Sequence, residues 1–218
     1  ILNAEDYGLV GMSVVFTGFI TLFTNIGMGP ALIQRKQIDK AYIDSAVWAT
    51  MLVSVLFYVV SYFSAPWVSD FYSEPRVRNI IRIAAIAFLL SPVNGIMSSV
   101  LIRDMRFKEL AYSDFFNVLL SQIVAIILAL KGFGVWSLVF SSLVMQVGRN
   151  ITLFYFTRYL PSFHFDYNKF KDLFAMGSNL MMANLIGYIG RNADNLIIGK
   201  IFGATSLGYY ELAYQIML

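Results

Sequence analysis

The charges of this chain are gathered into short groups, and between them lie long runs without a single Asp, Glu, Lys or Arg. These runs extend from Tyr7 to Gln34, Ser45 to Ser69, Ile83 to Ile102, Phe115 to Leu130, Gly132 to Gly148 and Leu173 to Gly190. A helix in water keeps a polar face, whereas one that is apolar all round is surrounded by protein or lipid, and about 20 helical residues cross the hydrocarbon core. Barrel strands alternate apolar and polar residues over about 10 positions, which these runs do not. Only 13% of residues are charged, against roughly 25% in a soluble domain, so lipid is the expected surrounding. The fold predicted is all-α: a polytopic transmembrane helix bundle with spans at 7–33, 45–67, 80–102, 110–130, 133–157 and 173–199 and the start of a seventh.

Several kinds of chemistry are excluded at the outset. Cysteine is absent and His164 is the only histidine, which removes disulfides, thiol chemistry, Cys/His metal sites and His-based triads. No catalytic residue, metal or cofactor is expected. His164 reads as an ordinary surface residue. Nucleic acid is not an expected partner either, because the net charge of +3 resides in short loops, where it reports orientation. The first apolar run is too long for a signal peptide, and it has neither a basic segment before it nor a small-residue cleavage site.

Alternate loops hold unequal numbers of basic residues. Arg35, Lys36, Lys40, Arg103, Arg106, Lys108, Arg158, Lys169 and Lys171 make nine on one side, against five on the other: Arg76, Arg78, Arg82, Lys131 and Lys200. The positive-inside tendency puts loops 34–44, 103–109 and 158–172 in the cytoplasm. Trp67, Phe71 and Tyr72 at one end, and Tyr155, Phe156 and Tyr159 at the other, suit interfacial aromatic belts. The longest loop, 158–172, becomes a short interfacial helix from Asn168, with Phe170, Leu173 and Phe174 at helical spacing.

The two ends of the chain resemble each other. Ile1-Leu-Asn-Ala-Glu-Asp-Tyr-Gly8 aligns with Ile201-Phe-Gly-Ala-Thr-Ser-Leu-Gly208 at an offset of 200 residues, with Ile, Ala and Gly coincident. Each copy connects one expected span to the next on the outer side. The offset holds six crossings, so both copies keep one orientation, as in a two-lobed transporter whose repeats are related by an axis along the membrane normal. On that reading residues 1–157 are five spans of an N-terminal lobe whose first span is missing, 158–172 is the inter-lobe loop, and 173–218 is the first span and the start of the second span of a truncated C-terminal lobe.

Polar residues inside the spans are the candidate functional groups. Asn184, Gly187, Arg191, Asp194 and Asn195 recur at three, four and seven residues and form one stripe on the sixth span. Arg191 and Asp194 are spaced to pair, as a structural ion pair near the outer interface or as an anion-holding and a proton- or cation-binding group. Arg191 lies roughly 27 Å along the helix from Leu173. Arg149, with Asn150, is about 24 Å from the outer end of the fifth span; it either snorkels to headgroups or faces a cavity as a second cation. Asp114 and Asn117 read as interfacial. The strings Asn25-Ile-Gly-Met-Gly-Pro30 and Ser91-Pro-Val-Asn-Gly95 predict kinks or unwound turns, with Gly27, Gly29, Pro30, Pro92 and Gly95 as hinge candidates. Thr17, Gly18, Thr21, Thr24 and Asn25 are read as close-packing positions.

The strings Glu5–Met12, Gly27–Lys36, Gly132–Val139 and Asn192–Tyr210, in this order and spacing, resemble the polysaccharide transporter family of the multidrug, oligosaccharidyl-lipid and polysaccharide flippase superfamily, nearest to O-antigen, colanic acid and teichuronic acid exporters. The resemblance implies twelve to fourteen spans in two six-helix lobes, with this chain matching the second span through the opening of the eighth. It implies a cation-lined central cavity and alternating access that carries undecaprenyl-pyrophosphate-linked oligosaccharide across the bacterial cytoplasmic membrane. Arg191, Asp194 and Asn195 carry over as site residues, with a proton or Na+ as coupling ion and membrane lipids as further partners. Asn3 stands where the family has glycine, the residue at Gly203 in the second copy. The alternatives are a multidrug exporter of related architecture and a polytopic membrane glycosyltransferase or polymerase. Intramembrane arginine suits a pyrophosphate better than a lipophilic cation. No loop much exceeds about 15 residues or carries a paired-carboxylate or metal-ligand pattern, against the requirements of the enzyme.

Overall fold

The computed structural model describes residues 2–25 and 27–217. Ile1 and Ile26, which belong to the repeat and kink readings, lie outside the described residues, as does the Asn25 side chain. The elements are α1 (Ala4–Asn25), α2 (Met28–Gln34), α3 (Lys40–Tyr72), α4 (Pro75–Ala84), α5 (Ile86–Arg103), α6 (Phe107–Leu130), α7 (Val135–Thr157) and α8 (Tyr167–Met217). There is no strand among the described residues, and the all-helical expectation holds.

Local chemistry sets the ends. Asn3 N–H donates to the Asp6 carboxylate at 3.0 Å while Asp6 N–H donates to the Asn3 carbonyl, closing the first turn of α1. Asp39 caps α3 by accepting from Tyr42 N–H at 3.1 Å, and Pro75 opens α4 at its first position, where its missing N–H costs nothing. At the C-terminus of α2, the Arg103 guanidinium donates to the carbonyls of Leu32 (2.7 Å), Ile33 (3.2 Å) and Lys36 (2.9 Å), and to that of Arg35. A single cation thus satisfies acceptors that a helix end leaves open.

Which residues face inward identifies the solvent. On α6 the buried side chains are Ser113, Asn117, Ser121, Ala125 and Ala129, small or polar groups at every fourth position. Its exposed side chains include Phe115, Phe116, Leu119, Ile123, Ile126 and Leu130. α3 is arranged likewise, burying Ser45, Ala49, Ser54, Ser61, Ala65 and Ser69 and exposing Leu52, Leu56, Val59 and Phe63. Small residues between helices and large apolar ones outside describe a bundle dissolved in lipid.

Among the described residues, four helical stretches are long and apolar enough to cross a membrane: Ala4–Thr24, Lys40–Tyr72, Pro75–Arg103 and Phe107–Leu130. A fifth results if Tyr167–Ser178 and Met181–Tyr214, bent by 40°, act as one. The sequence count of six therefore meets one exception. α7 has 23 residues, about 34 Å at 1.5 Å per residue, but Gln146, Arg149 and Asn150 keep it out of the apolar class, and it packs against α5 and α6. The expected span 7–33 is two helices, broken at Gly27, which has φ +66°. The expected outer connection at 201–208 shrinks to Gly203 (φ 80°, ψ −179°), with helix on both sides. The interfacial helix expected from Asn168 begins at Tyr167 and runs directly into the sixth span.

The core has two main parts. Met28, Leu32, Ala46, Ile96, Met97, Leu101, Leu153 and Leu173 gather toward the end with more basic residues. Leu9, Met12, Val77, Ile80, Ile81 and Leu207 gather toward the other.

Candidate functional site

The residues marked as hinges in the sequence come together. Gly27, Gly29, Pro30, Pro92 and Gly95 line one cavity of about 290 Å³ between α2, α3, α5 and α8, and Asn184 lines it too. The break in α1–α2 creates it. Gly27 sits in the left-handed region, and a Cβ there would collide with the Gly177 carbonyl of α8, so only glycine lets the two backbones meet. The wall hydroxyls turn back on their own helices: Thr50 donates to the Ala46 carbonyl at 2.7 Å and Ser99 to that of Gly95 at 2.8 Å. A broken helix whose irregular backbone lines a cavity is the arrangement by which membrane proteins build sites near mid-membrane.

From this cavity the polar stripe of α8 runs toward the less basic end. Asn184, Gly187 and Arg191 are exposed, whereas Asp194 and Asn195 are half-buried. The pairing of Arg191 with Asp194 is not made. Tyr210 hydroxyl donates to Asp194 at 2.5 Å, and Asn195 Nδ2 donates to Glu211 at 2.6 Å. The reason is Gly203: its extended turn returns the second half of α8 alongside the first and gives Asp194 a phenol in place of the guanidinium. Arg191 has no carboxylate partner among the described residues. Glu211 escaped the sequence reading because nothing in its spacing ties it to the stripe; only the fold at Gly203 does.

Arg149 has a different fate from either reading of it. It pairs with Asp114 of α6 at 3.1 Å and lies 3.5 Å from the Ser98 hydroxyl of α5, partners on two other helices that spacing within α7 does not reveal. Asn117, set aside in the sequence, is buried in the same seam and donates to the Ser113 carbonyl at 2.7 Å and to Thr152 Oγ1 at 2.9 Å. Asn94 donates to Gln146 Oε1 at 2.8 Å, and Asn150 to the Leu90 carbonyl at 3.0 Å. Each such interhelical bond contributes roughly 0.6–2 kcal/mol in a membrane. The seam is structural.

At the more basic end the 158–172 loop is fastened to α3. Asp44, 1% exposed, accepts from the Tyr159 hydroxyl, the Ser162 hydroxyl and Ser162 N–H, the last at 3.1 Å. Trp48 Nε1 donates to the Ser162 carbonyl at 2.8 Å and stacks on Phe163 at 5.1 Å. Lys169 meets Asp39 at 2.5 Å, and Arg35 pairs with Asp172. The Lys169 ammonium holds the Asp39 carboxyl below its ordinary range. Burial, with the hydrogen bond to Asp44, pushes the Tyr159 phenol up, so it remains a donor. His164 is exposed, as expected.

A lipid-dissolved bundle of helices with a broken helix at a cavity defines the class: a polytopic α-helical membrane protein. The chain is a member of the polysaccharide biosynthesis protein family, whose sequence model matches residues 1–218. It is 30% identical over 203 residues, 92% of its length, to the teichuronic acid biosynthesis protein TuaB of Bacillus subtilis. It is 24% identical over 213 residues, 98% of its length, to the succinoglycan biosynthesis transport protein ExoT of Rhizobium meliloti. With the lipopolysaccharide biosynthesis protein WzxC of Escherichia coli it shares 22% identity over 222 residues, 99% of its length. The matched regions cover 42%, 43% and 44% of those relatives, so the chain spans less than half their length. No solved structure gives a significant match.

Proposed function

We propose that this chain is part of a flippase, not an enzyme, that moves lipid-linked oligosaccharide, of the undecaprenyl-pyrophosphate kind, outward across the bacterial cytoplasmic membrane by alternating access. The observation that carries this reading is Arg191: a guanidinium exposed on a membrane-crossing helix, without a counter-charge among the described residues, on one stripe with Asn184 of the broken-helix cavity. An unpaired charge in a span is costly unless a ligand or water completes it, and a guanidinium suits the oxygens of a pyrophosphate. The names of ExoT, a transport protein, and of TuaB and WzxC, biosynthesis proteins for surface polysaccharides, agree with such cargo.

In this reading residues 1–157 are spans two to six of the N-terminal lobe, 158–172 is the inter-lobe loop, and residues from 173 open the C-terminal lobe. The more basic end faces the cytoplasm. The sugar headgroup crosses beside Asn184 and Arg191 while the prenyl tail stays in lipid. Asp194 with Asn195, now joined by Tyr210 and Glu211, is the site for a coupling proton or Na+. Arg149, engaged by Asp114, has no part in cargo binding.

Arg191→Ala in the protein expressed from its own gene is expected to lower export of surface polymer by about 10-fold or more, the ~1.5–3 kcal/mol of one charge-assisted contact, with membrane level unchanged. Arg191→Lys should retain part of the activity. Export at the parental rate by Arg191→Ala would remove the assigned role.

A further inference from the structure

The two copies of the sequence repeat meet each other in space. Ala4 and Gly8 of α1 cross Ala204 and Gly208 of the second half of α8 so closely that backbone touches backbone. A Cβ on Gly8 would strike the Ala204 carbonyl, and a Cβ on Gly208 would strike the Ala4 carbonyl and lie 3.0 Å from Gly8 N. The contact is reciprocal. Position 8 touches 204 and position 4 touches 208, two pairs that interchange under the repeat offset of 200 residues. Such reciprocity is what a local two-fold relation imposes on an interface between equivalent elements. Each helix supplies alanine and glycine four positions apart, the small pattern that permits close approach in membranes.

Two more features mark the crossing as separable and sealed. Among the described residues, no side-chain hydrogen bond or ion pair joins residues 4–11 to 204–214; Asp194 and Glu211 bond within α8, and Glu5 pairs with Arg76 of α4. Parting these two segments therefore breaks no side-chain hydrogen bond between them; the bond that joins α1 to α8 lies deeper, where the Tyr188 hydroxyl donates to the Val14 and Val15 carbonyls at 3.1 and 3.0 Å. Gly8, Leu207 and Gly208 are nevertheless buried, with Leu207 packed where a Cβ on Gly11 would lie 3.3 Å from its side chain.

We infer that this crossing is the outer gate of the transporter, closed in this structure and parted when the site opens outward, with both lobes contributing the same small-residue surface. The inference rests on the two-lobed transport reading, but its first test reads conformation alone. The chain has no cysteine, so Leu207→Cys serves as a single reporter, treated on intact cells with a membrane-impermeant maleimide, any cysteine elsewhere in the native protein being replaced by serine. The reporter should label slowly in the parental background. Gly8→Ala and Gly208→Ala should each speed labelling, by similar factors of roughly ten or more, because either methyl prevents closure. Gly190→Ala, where a Cβ meets nothing within 4 Å, should leave the rate unchanged. Equal labelling in all backgrounds, or a response to only one of the two glycines, would overturn the gate. Should the alanine variants not reach the membrane, the Gly11→Cys/Leu207→Cys pair decides: oxidation is expected to stop export and reduction to restore it, and undiminished export by the cross-linked protein would overturn the gate. Loss of the flippase reading would show instead as absence of polymer export in the parental protein, with the labelling pattern intact.

Discussion

Gly27→Ala is expected to lower the thermal midpoint of the purified protein in detergent by roughly 5–10 °C and to abolish export. Two separate costs combine at this position. An L-residue held at φ +66° costs roughly 1–2 kcal/mol, and the new methyl points into the Gly177 carbonyl, an overpacking of about 1–3 kcal/mol that a backbone atom cannot relieve by changing rotamer. A loss of ~3 kcal/mol in a chain of this size corresponds to the stated shift. The same substitution at Gly190, in open space on α8, should leave the midpoint unchanged or slightly raised, since alanine is the better helix former. A Gly27→Ala protein as stable as Gly190→Ala would show that the α1–α2 break does not require its glycine.

Asp44→Ala should release the loop between α7 and α8. Three donors, from Tyr159 and Ser162, converge on this buried carboxylate, and hydrogen bonds to a charged group contribute roughly 1.5–3 kcal/mol each before non-additivity. The expected result is amide hydrogen exchange over residues 158–166 faster by about 100-fold or more, corresponding to ~3 kcal/mol of local opening, with α6 and the half of α7 that begins at Val135 unaffected. Asp44→Asn keeps one acceptor oxygen and should fall between. Unchanged protection of the loop in Asp44→Ala would assign its order to Trp48 and the Arg35–Asp172 and Lys169–Asp39 pairs instead.

Both predictions come from parts of the molecule that differ in how readable they are from sequence. Gly27, Gly29, Pro30, Pro92 and Gly95 could be picked out because backbone chemistry is local: glycine and proline alter a helix wherever they stand in it. That they surround one cavity was not readable, since it depends on how α2, α5 and α8 pack. Spacing within one helix put Asn184, Arg191 and Asp194 on one stripe, and it also paired Arg191 with Asp194. That pairing failed because Tyr210 arrives from beyond Gly203, a fold of the chain that no i,i+3 rule contains. Arg149 was ambiguous for the same reason, its answer being Asp114 on another helix. The α6 stripe Ser113, Asn117, Ser121, Ala125 and Ala129 was available as a four-residue period, but long apolar runs on both sides of it hid the small residues that make the contact. Asp44 sits at the edge of a predicted span, where a carboxylate reads as interfacial until a loop 115 or more residues away is found to donate to it.

The repeat was the most far-reaching feature of the sequence. Three coincident residues in eight gave an orientation argument, and the same Ala4, Gly8, Ala204 and Gly208 then appear as the two sides of one crossing. Identity at those positions has a physical cause: both copies must be small because each packs against the other.

The central claim, movement of lipid-linked oligosaccharide, is tested most directly by expressing the native gene in a bacterium that lacks its own polysaccharide flippase, supplied with the matching glycan pathway, and measuring surface polymer together with the lipid-linked intermediate retained on the inner leaflet. Restored polymer with a cleared intermediate is the predicted result. Persistence of the intermediate on the inner leaflet, with the protein present at normal level in the membrane, would contradict it.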